Sequence, residues 1–115
     1  MALIDFTCHC GAVRLSVSSA PDEVTDCNCT LCRRYGALWA YYSPKDVHVT
    51  NDSTDIYMWG RKMIEFHRCK HCGCLTHWAP ADKTYDRMAV NARLMAPEIL
   101  AQARVHHFDG AKGSK

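Results

Sequence analysis

Eight cysteines in three tight groups are the residues of this chain best equipped for chemistry. Cys8 and Cys10 form the first group, Cys27, Cys29 and Cys32 the second, and Cys69, Cys72 and Cys74 the third. Thiolate sulfurs at about 2.3 Å from a tetrahedral Zn²⁺ are the ligand chemistry that such spacings suit. A disulfide instead needs Cα atoms about 4.4–6.8 Å apart with converging Cβ vectors, and it stabilises most by closing a long loop. Cys-x-Cys pairs make poor partners for one another, and cross-pairing groups of two, three and three would crowd neighbouring bridges. Cysteine makes up about 7% of the chain, below the ~8–10% of short disulfide scaffolds. These clusters therefore read as metal sites.

The groups divide the work. Cys69-x-x-Cys72-Gly73 is a zinc-knuckle pattern that offers two sulfurs to one ion, and Cys8-His9-Cys10-Gly11 offers two more. Joined, Cys8, Cys10, Cys69 and Cys72 make a closed structural zinc site, adding folding free energy that a small core lacks. Cys27, Cys29 and Cys32 place three thiols within six residues. Three protein ligands with an open position are the usual set of a catalytic zinc, whereas Cys74 or a histidine in the fourth position would close the site. Spacing alone leaves both open. Arg33 and Arg34 follow at once, placed to offset thiolate charge or attract an anion, although two solvated side chains are the plainer reading. Among the histidines only His77, three residues beyond Cys74, stands where a ligand would be useful. His9 and His71 are expected to point away from the metal, and His48 and His67 to be surface or satisfied core residues.

Short strands must position these groups. Val13, Leu15 and Val17 alternate with polar neighbours, the period of a half-buried strand. Residues 38–42 form an apolar, aromatic run stopped by Ser43-Pro44, and residues 47–50, 56–59, 63–67 and 75–78 read as further strands. Polar residues 51–55 and Gly60-Arg61 read as turns, residues 20–23 as a turn leading into the second group, and residues 79–83 as a loop. Residues 88–94 alternate as one more strand, Pro97 opens a short helix, and residues 105–108 end the ordered part. Trp39, Tyr41, Tyr42, Trp59 and Trp78 read as core and rim packing, a minority of them beside a cleft. The pattern is mainly β, with one or two short helices.

At 115 residues the chain is read as a single domain over residues 1–109 with a polar, flexible tail at 110–115. No apolar stretch nears the ~20 residues of a membrane span, and the start has no secretory pattern, so a cytoplasmic, reducing setting is expected. The formal charge is +2. Eight thiolates against two divalent cations lower it by four, to −2, so the sequence pI of 8.1 is no argument for nucleic acid. No stretch interleaves basic and aromatic residues as a nucleic-acid platform would.

Taken in order, Cys8-His9-Cys10-Gly11-Ala12-Val13, Cys27-Asn28-Cys29-Thr30-Leu31-Cys32-Arg33-Arg34 and Cys69-Lys70-His71-Cys72-Gly73 resemble the glutathione-dependent formaldehyde-activating enzyme family. Its relatives include the centromere protein V group, and its fold is shared with the Mss4 guanine-nucleotide-release proteins. The resemblance covers residues 6–94. It implies an Mss4-like tent of short antiparallel sheets stapled by a structural zinc, with a second, catalytic zinc on Cys27, Cys29 and Cys32. The implied activity is carbon–sulfur lyase chemistry: a small thiol such as glutathione and a small aldehyde, formaldehyde, form or release S-hydroxymethylglutathione. Arg33 or Arg34 would then pair with a glutathione carboxylate. One position departs from the family pattern. Serine or threonine often follows Cys72-Gly73 there, and here Cys74 does, expected near the second zinc, as a fourth ligand that closes the site or as one displaced by an arriving thiol, with a free thiol as the other reading. The alternative is a non-catalytic zinc-binding interaction module on the same fold, favoured if a fourth protein sulfur closes the second site.

Overall fold

The computed structural model describes residues 3–50 and 53–112, so Asn51 and Asp52 of the expected polar turn lie outside it. Ten strands follow in chain order: β1 (Ile4–Thr7), β2 (Arg14–Val17), β3 (Glu23–Cys27), β4 (Trp39–Tyr42), β5 (Val47–Val49), β6 (Thr54–Tyr57), β7 (Ile64–Cys69), β8 (Leu75–Pro80), β9 (Met88–Asn91) and β10 (Arg104–Phe108). Two short helices, α1 (Cys32–Tyr35) and α2 (Pro97–Ala101), complete the mainly β domain. No helix among the described residues is long and apolar enough to cross a membrane.

The strands divide into two sheets. A three-stranded antiparallel sheet runs β1-β2-β5, and a seven-stranded sheet runs β10-β3-β4-β9-β8-β7-β6. Every pair in the larger sheet is antiparallel except β10 and β3, which run parallel with Phe108 opposite Cys27. The parallel pair follows from connectivity. More than seventy-five residues separate the two strands, so no hairpin constrains their direction.

The seven-stranded sheet is covered on both faces at its centre. Successive residues of a strand point to opposite sides, and here Trp39 and Ala40 of β4 and all of β9 are buried. Ala40 and Val90 join a core with Phe6, Val13, Leu15, Val17 and Val24, whereas Trp39 and Ala89 join a second core with Phe66, Leu75 and Trp78. Each core contains one sulfur group: Cys8 and Cys69 in the first, Cys27, Cys29 and Cys32 in the second. The metal groups thus lie on opposite faces of one sheet.

Several expected elements shift. The alternation over residues 88–94 ends as strand at Asn91, whose side chain accepts from Arg93 N and opens a 3-10 turn over Ala92–Leu94. The expected loop after Trp78 starts later, because β8 continues through Pro80. The turn expected at 20–23 gives way to β3 at Glu23, and β1 and α1 had no expectation at all. At the expected tail, Gly110 is buried and Ala111 N donates to Asn28 Oδ1 at 2.9 Å. Residues 113–115 lie outside the described set.

Candidate metal centres

The first centre is assembled from two loops. Cys8 and Cys10 follow β1, and Gly11, at φ 82°, turns the chain so that its N–H reaches Cys8 O at 3.1 Å. Cys69 ends β7, and Gly73, at φ 78°, lets the knuckle close with Gly73 N donating to Cys69 O at 3.0 Å. A β-carbon would strain both positions, which lie in the left-handed region. The loops bring the ligand atoms of Cys8, Cys10, Cys69 and Cys72 within 4.8 Å of one another, the expected set. Cys10 Sγ lies 3.7 Å from Cys8 Sγ and 3.6 Å from Cys69 Sγ. Tetrahedral zinc with ~2.3 Å bonds sets its sulfurs about 3.8 Å apart, so the spacing fits that ion. All eight cysteines are free thiols, and none is bridged.

Electrostatics points the same way. The backbone N–H groups of Cys74 and Cys10 hold the Cys72 thiol low, at about 5. Cys10 has a backbone donor at Ala12, yet desolvation and the neighbouring sulfurs of Cys69, Cys8 and Cys72 push it up to about 12. Four sulfurs this close do not all carry negative charge unaided, and a divalent cation among them removes the conflict. Val13 N donates to Cys8 Sγ at 3.3 Å, a contact that favours thiolate there, and His71 N donates to Cys69 Sγ at 3.4 Å.

Cys27 at the end of β3, Cys29 in the following loop and Cys32 at the start of α1 form the second centre. Their sulfurs lie within 4.8 Å of one another, and all three residues are buried. Cys32 N donates to Cys29 Sγ at 3.3 Å. Burial opposes charge on Cys29, but donors at Cys32 and Leu31 and the thiols of Cys32 and Cys27 outweigh it and lower its pKa. Burial pushes Cys32 the other way, to about 12, helped by the charge on Cys29 and opposed by the indole of Trp39. Trp39 Nε1 is buried and makes no hydrogen bond of good geometry among the described residues, yet it lies near enough to Cys32 to favour that thiol's charged form. An orphaned donor turned toward a sulfur is what a metal-bound thiolate would satisfy. The donor set therefore suits a thiophilic divalent ion such as zinc.

Cys74 corrects an expectation. It packs against the first core with Cys8 and Cys72, and its backbone O accepts from Cys69 N at 2.9 Å. The knuckle turn that aims Cys72 at the first centre carries Cys74 along with it, on the face of the sheet away from Cys27, Cys29 and Cys32. Among the described residues no fourth cysteine, histidine, aspartate or glutamate joins that triad. His77 does not join it either. It is buried in β8, stacked on His67 at 4.3 Å, with Nδ1 2.8 Å from Thr76 Oγ1.

A cavity of about 180 Å³ opens on Cys29 and Cys32, walled by Trp59, Ile64 and Phe66, with Arg61 among its lining residues. Arg33 and Arg34, the arginines expected at the site, are exposed on α1 and do not line it, and Arg34 Nη1 donates to Thr30 O at 2.8 Å. Arg61 was missed because it reads as part of a turn. The turn is real: Trp59 O accepts from Lys62 N at 3.0 Å, with Gly60 at φ 62°. The turn closes the β6–β7 hairpin, and Phe66 at its base packs on Tyr35 and Trp39, long-range contacts that bring the turn to the triad and that local spacing does not encode.

Comparison with known proteins agrees with this architecture. A solved structure of a Rhodobacter sphaeroides protein superposes with a TM-score of 0.73 at 25% identity, covering 90% of this chain and 100% of that one. A search of curated proteins finds no match. The family model described as glutathione-dependent formaldehyde-activating enzyme matches residues 3–110. With nearly the whole domain matched, the chain belongs to the glutathione-dependent formaldehyde-activating enzyme family.

Proposed function

We propose that this chain is a zinc-dependent enzyme of the carbon–sulfur lyase type that makes and breaks thiol–aldehyde adducts, with glutathione as thiol and formaldehyde as the simplest aldehyde. One observation carries the reading: three buried thiols converge without a fourth protein ligand among the described residues, and a cavity opens on two of them. Zinc held by Cys27, Cys29 and Cys32 would supply a fourth position that acidifies an arriving thiol and a Lewis acid for the aldehyde oxygen.

The chain's own residues account for the remaining needs. Trp59, Ile64 and Phe66 give the reacting sulfur apolar walls that limit water, and Arg61 brings a fixed positive charge suited to a peptide carboxylate. In the forward direction the sulfur lone pair attacks the carbonyl carbon, a C–S bond forms and the C=O π bond opens. The proton lost from the thiol ends on the new hydroxyl, and nothing is oxidised or reduced. The four-sulfur centre holds the smaller sheet to the larger one, a structural role for a second zinc ion. Eight free thiols suit a reducing compartment, and the cytoplasm is the setting we assign. The alternative of a closed, non-catalytic module needs a fourth sulfur at the triad, and Cys74 is on the opposite face.

The test is exchange NMR on the zinc-loaded protein with formaldehyde and glutathione. Adduct exchange should rise above the uncatalysed background and return to it in Cys29→Ser. Equal acceleration by Cys29→Ser and the parent protein would overturn the proposal.

A further inference from the structure

The 180 Å³ cavity is smaller than the ~300–1,000 Å³ of ordinary small-molecule sites, so it holds a reacting head and little more. A second chamber, of about 970 Å³, adjoins it, and Met63 and Ile64 line both. Strand register puts this chamber on the same sheet face as the triad. Phe108 stands opposite Cys27, Thr25 opposite Trp39, Tyr41 opposite Ala89, and Trp78 opposite Phe66. Residues opposite each other, or two apart on a strand, share a face. The two cavities therefore lie side by side on one face, with Met63 and Ile64 between them and Cys29 and Cys32 at the far side of the smaller one.

The chamber's chemistry is distinctive. Tyr41, Trp78, Tyr85 and Phe108 give it aromatic walls. Tyr41, Met63, Tyr85 and Phe108 are four of the eight large hydrophobics that the described residues leave exposed. Such a concentration at one place marks a binding surface, since single exposed apolar residues are ordinarily scattered. Its two carboxylates are engaged: Glu23 pairs with Arg104 at 3.4 Å, and Asp82 accepts from Thr84 N and Oγ1. Its two cations are not neutralised. Among the described residues neither Lys62 nor Arg87 has an ion-pair partner, and Arg87 lies over the Tyr41 ring at 4.1 Å. Lys62 is also the one non-glycine residue with positive φ in that set, at 55°, a strained backbone next to the shared wall.

We infer that the large chamber binds the body of an aromatic aldehyde carrying a carboxylate, and presents its carbonyl to the thiol in the smaller cavity. The inference rests on the thiol–aldehyde reading and names the aldehyde class that this site prefers. The aromatic walls take the ring, and Arg87 and Lys62 take the anion. The reaction is the same balanced addition, with the aromatic group in place of a formaldehyde hydrogen.

The experiment compares 4-formylbenzoate, neutral 4-methylbenzaldehyde and formaldehyde as partners for glutathione on the zinc-loaded protein. Exchange NMR supplies the rates, each corrected for its uncatalysed background. Binding of the unreactive 4-methylbenzoate is followed separately by tryptophan fluorescence. The inference expects 4-formylbenzoate to exceed formaldehyde in kcat/KM. Arg87→Met, an exposed substitution, should lower the 4-formylbenzoate to 4-methylbenzaldehyde ratio about tenfold, the effect of one charged hydrogen bond, and weaken 4-methylbenzoate binding similarly. Acceleration of formaldehyde alone, with no 4-methylbenzoate binding, overturns the chamber's role and leaves the enzyme reading standing. Binding of 4-methylbenzoate with no acceleration of any aldehyde overturns both the reaction and the aldehyde assignment. An unchanged ratio in Arg87→Met overturns recognition of the carboxylate.

Discussion

Gly110 stands against the sulfur of Cys27: a β-carbon at position 110 would lie 2.5 Å from Cys27 Sγ and 3.2 Å from the Cys29 β-carbon. The segment is pinned there because Asn28 N donates to Phe108 O at 3.2 Å and Asn28 Nδ2 to Asp109 Oδ1 at 3.0 Å. The C-terminal segment thus forms the lid behind the second centre. Gly110→Ala should push Cys27 out of line and weaken the second metal about 10–100-fold, as changes to supporting shells do. Zinc content should fall from two per chain toward one under mild chelation, with far-UV circular dichroism unchanged. Two ions retained as tightly as in the parent would refute this account of Gly110.

Cys69 and Cys74, both on the first core's side, should behave differently. Cys69→Ser removes a buried ligand that joins β7 to the loop after β1, and binding at a structural zinc is folding free energy, of order 10 kcal/mol. The expected outcome is loss of dispersed amide NMR signals at room temperature. Cys74→Ser changes a half-buried thiol that belongs to neither ligand group. It should shift the melting midpoint by only a few degrees, corresponding to about 1 kcal/mol. Unfolding by Cys74→Ser and tolerance of Cys69→Ser would reverse the assignment.

The first centre was legible because its two ligand pairs are local turn motifs, Cys8-x-Cys10-Gly11 and Cys69-x-x-Cys72-Gly73, whose glycines take the positive φ that the pattern implies. The triad was legible because its three thiols fall within six residues. What sequence could not supply was the face of the sheet on which Cys74 would lie, because that depends on how the knuckle turn docks between two cores. The arginines failed similarly. Arg33 and Arg34 follow Cys32 in sequence but are exposed on α1, while Arg61, in the β6–β7 turn, reaches the cavity because the hairpin packs through Phe66 on Tyr35 and Trp39. Strands β2, β4, β5, β7 and β8 followed from short apolar runs, whereas β6 begins at Thr54, inside the expected polar turn, and ends at Tyr57 instead of Trp59. β9, buried throughout, shows residue alternation without one exposed face, so its inward and outward positions could not be told apart.

Trp39 tests whether the triad carries a metal thiolate. Its indole N–H makes no hydrogen bond of good geometry among the described residues and favours charge on Cys32. Trp39→Phe removes the donor and keeps a ring. With the second metal bound, the loss should include a charge-assisted contact of about 1.5–3 kcal/mol. In a Cys29→Ser background, lacking that metal, the same change removes a donor without a charged partner, so the packing loss remains, offset in part by relief of the buried N–H. Denaturant unfolding of all four proteins isolates the difference, since the packing cost is common to both arms. A coupling energy near zero would show that Trp39 does not serve the sulfur.

His77 should set part of the acid sensitivity of the fold. Burial, with a lesser contribution from the stacked His67, lowers its pKa from the ordinary 6.5 to about 3. The folded protein therefore keeps this ring neutral where the unfolded chain would protonate it. Between pH 6.5 and 3 the unfolded state binds more protons, so stability is fully present above 6.5 and drains away as pH falls toward 3. At pH 4.5 the loss from this residue is about 2–3 kcal/mol. His77→Asn retains a partner for Thr76 Oγ1 but does not titrate, so its stability should fall less steeply over that window. Thiolate protonation and metal release act on both proteins and drop out of the comparison. Parallel stability profiles for the two proteins from pH 7 to 4.5 would mean that His77 is not held neutral by the core.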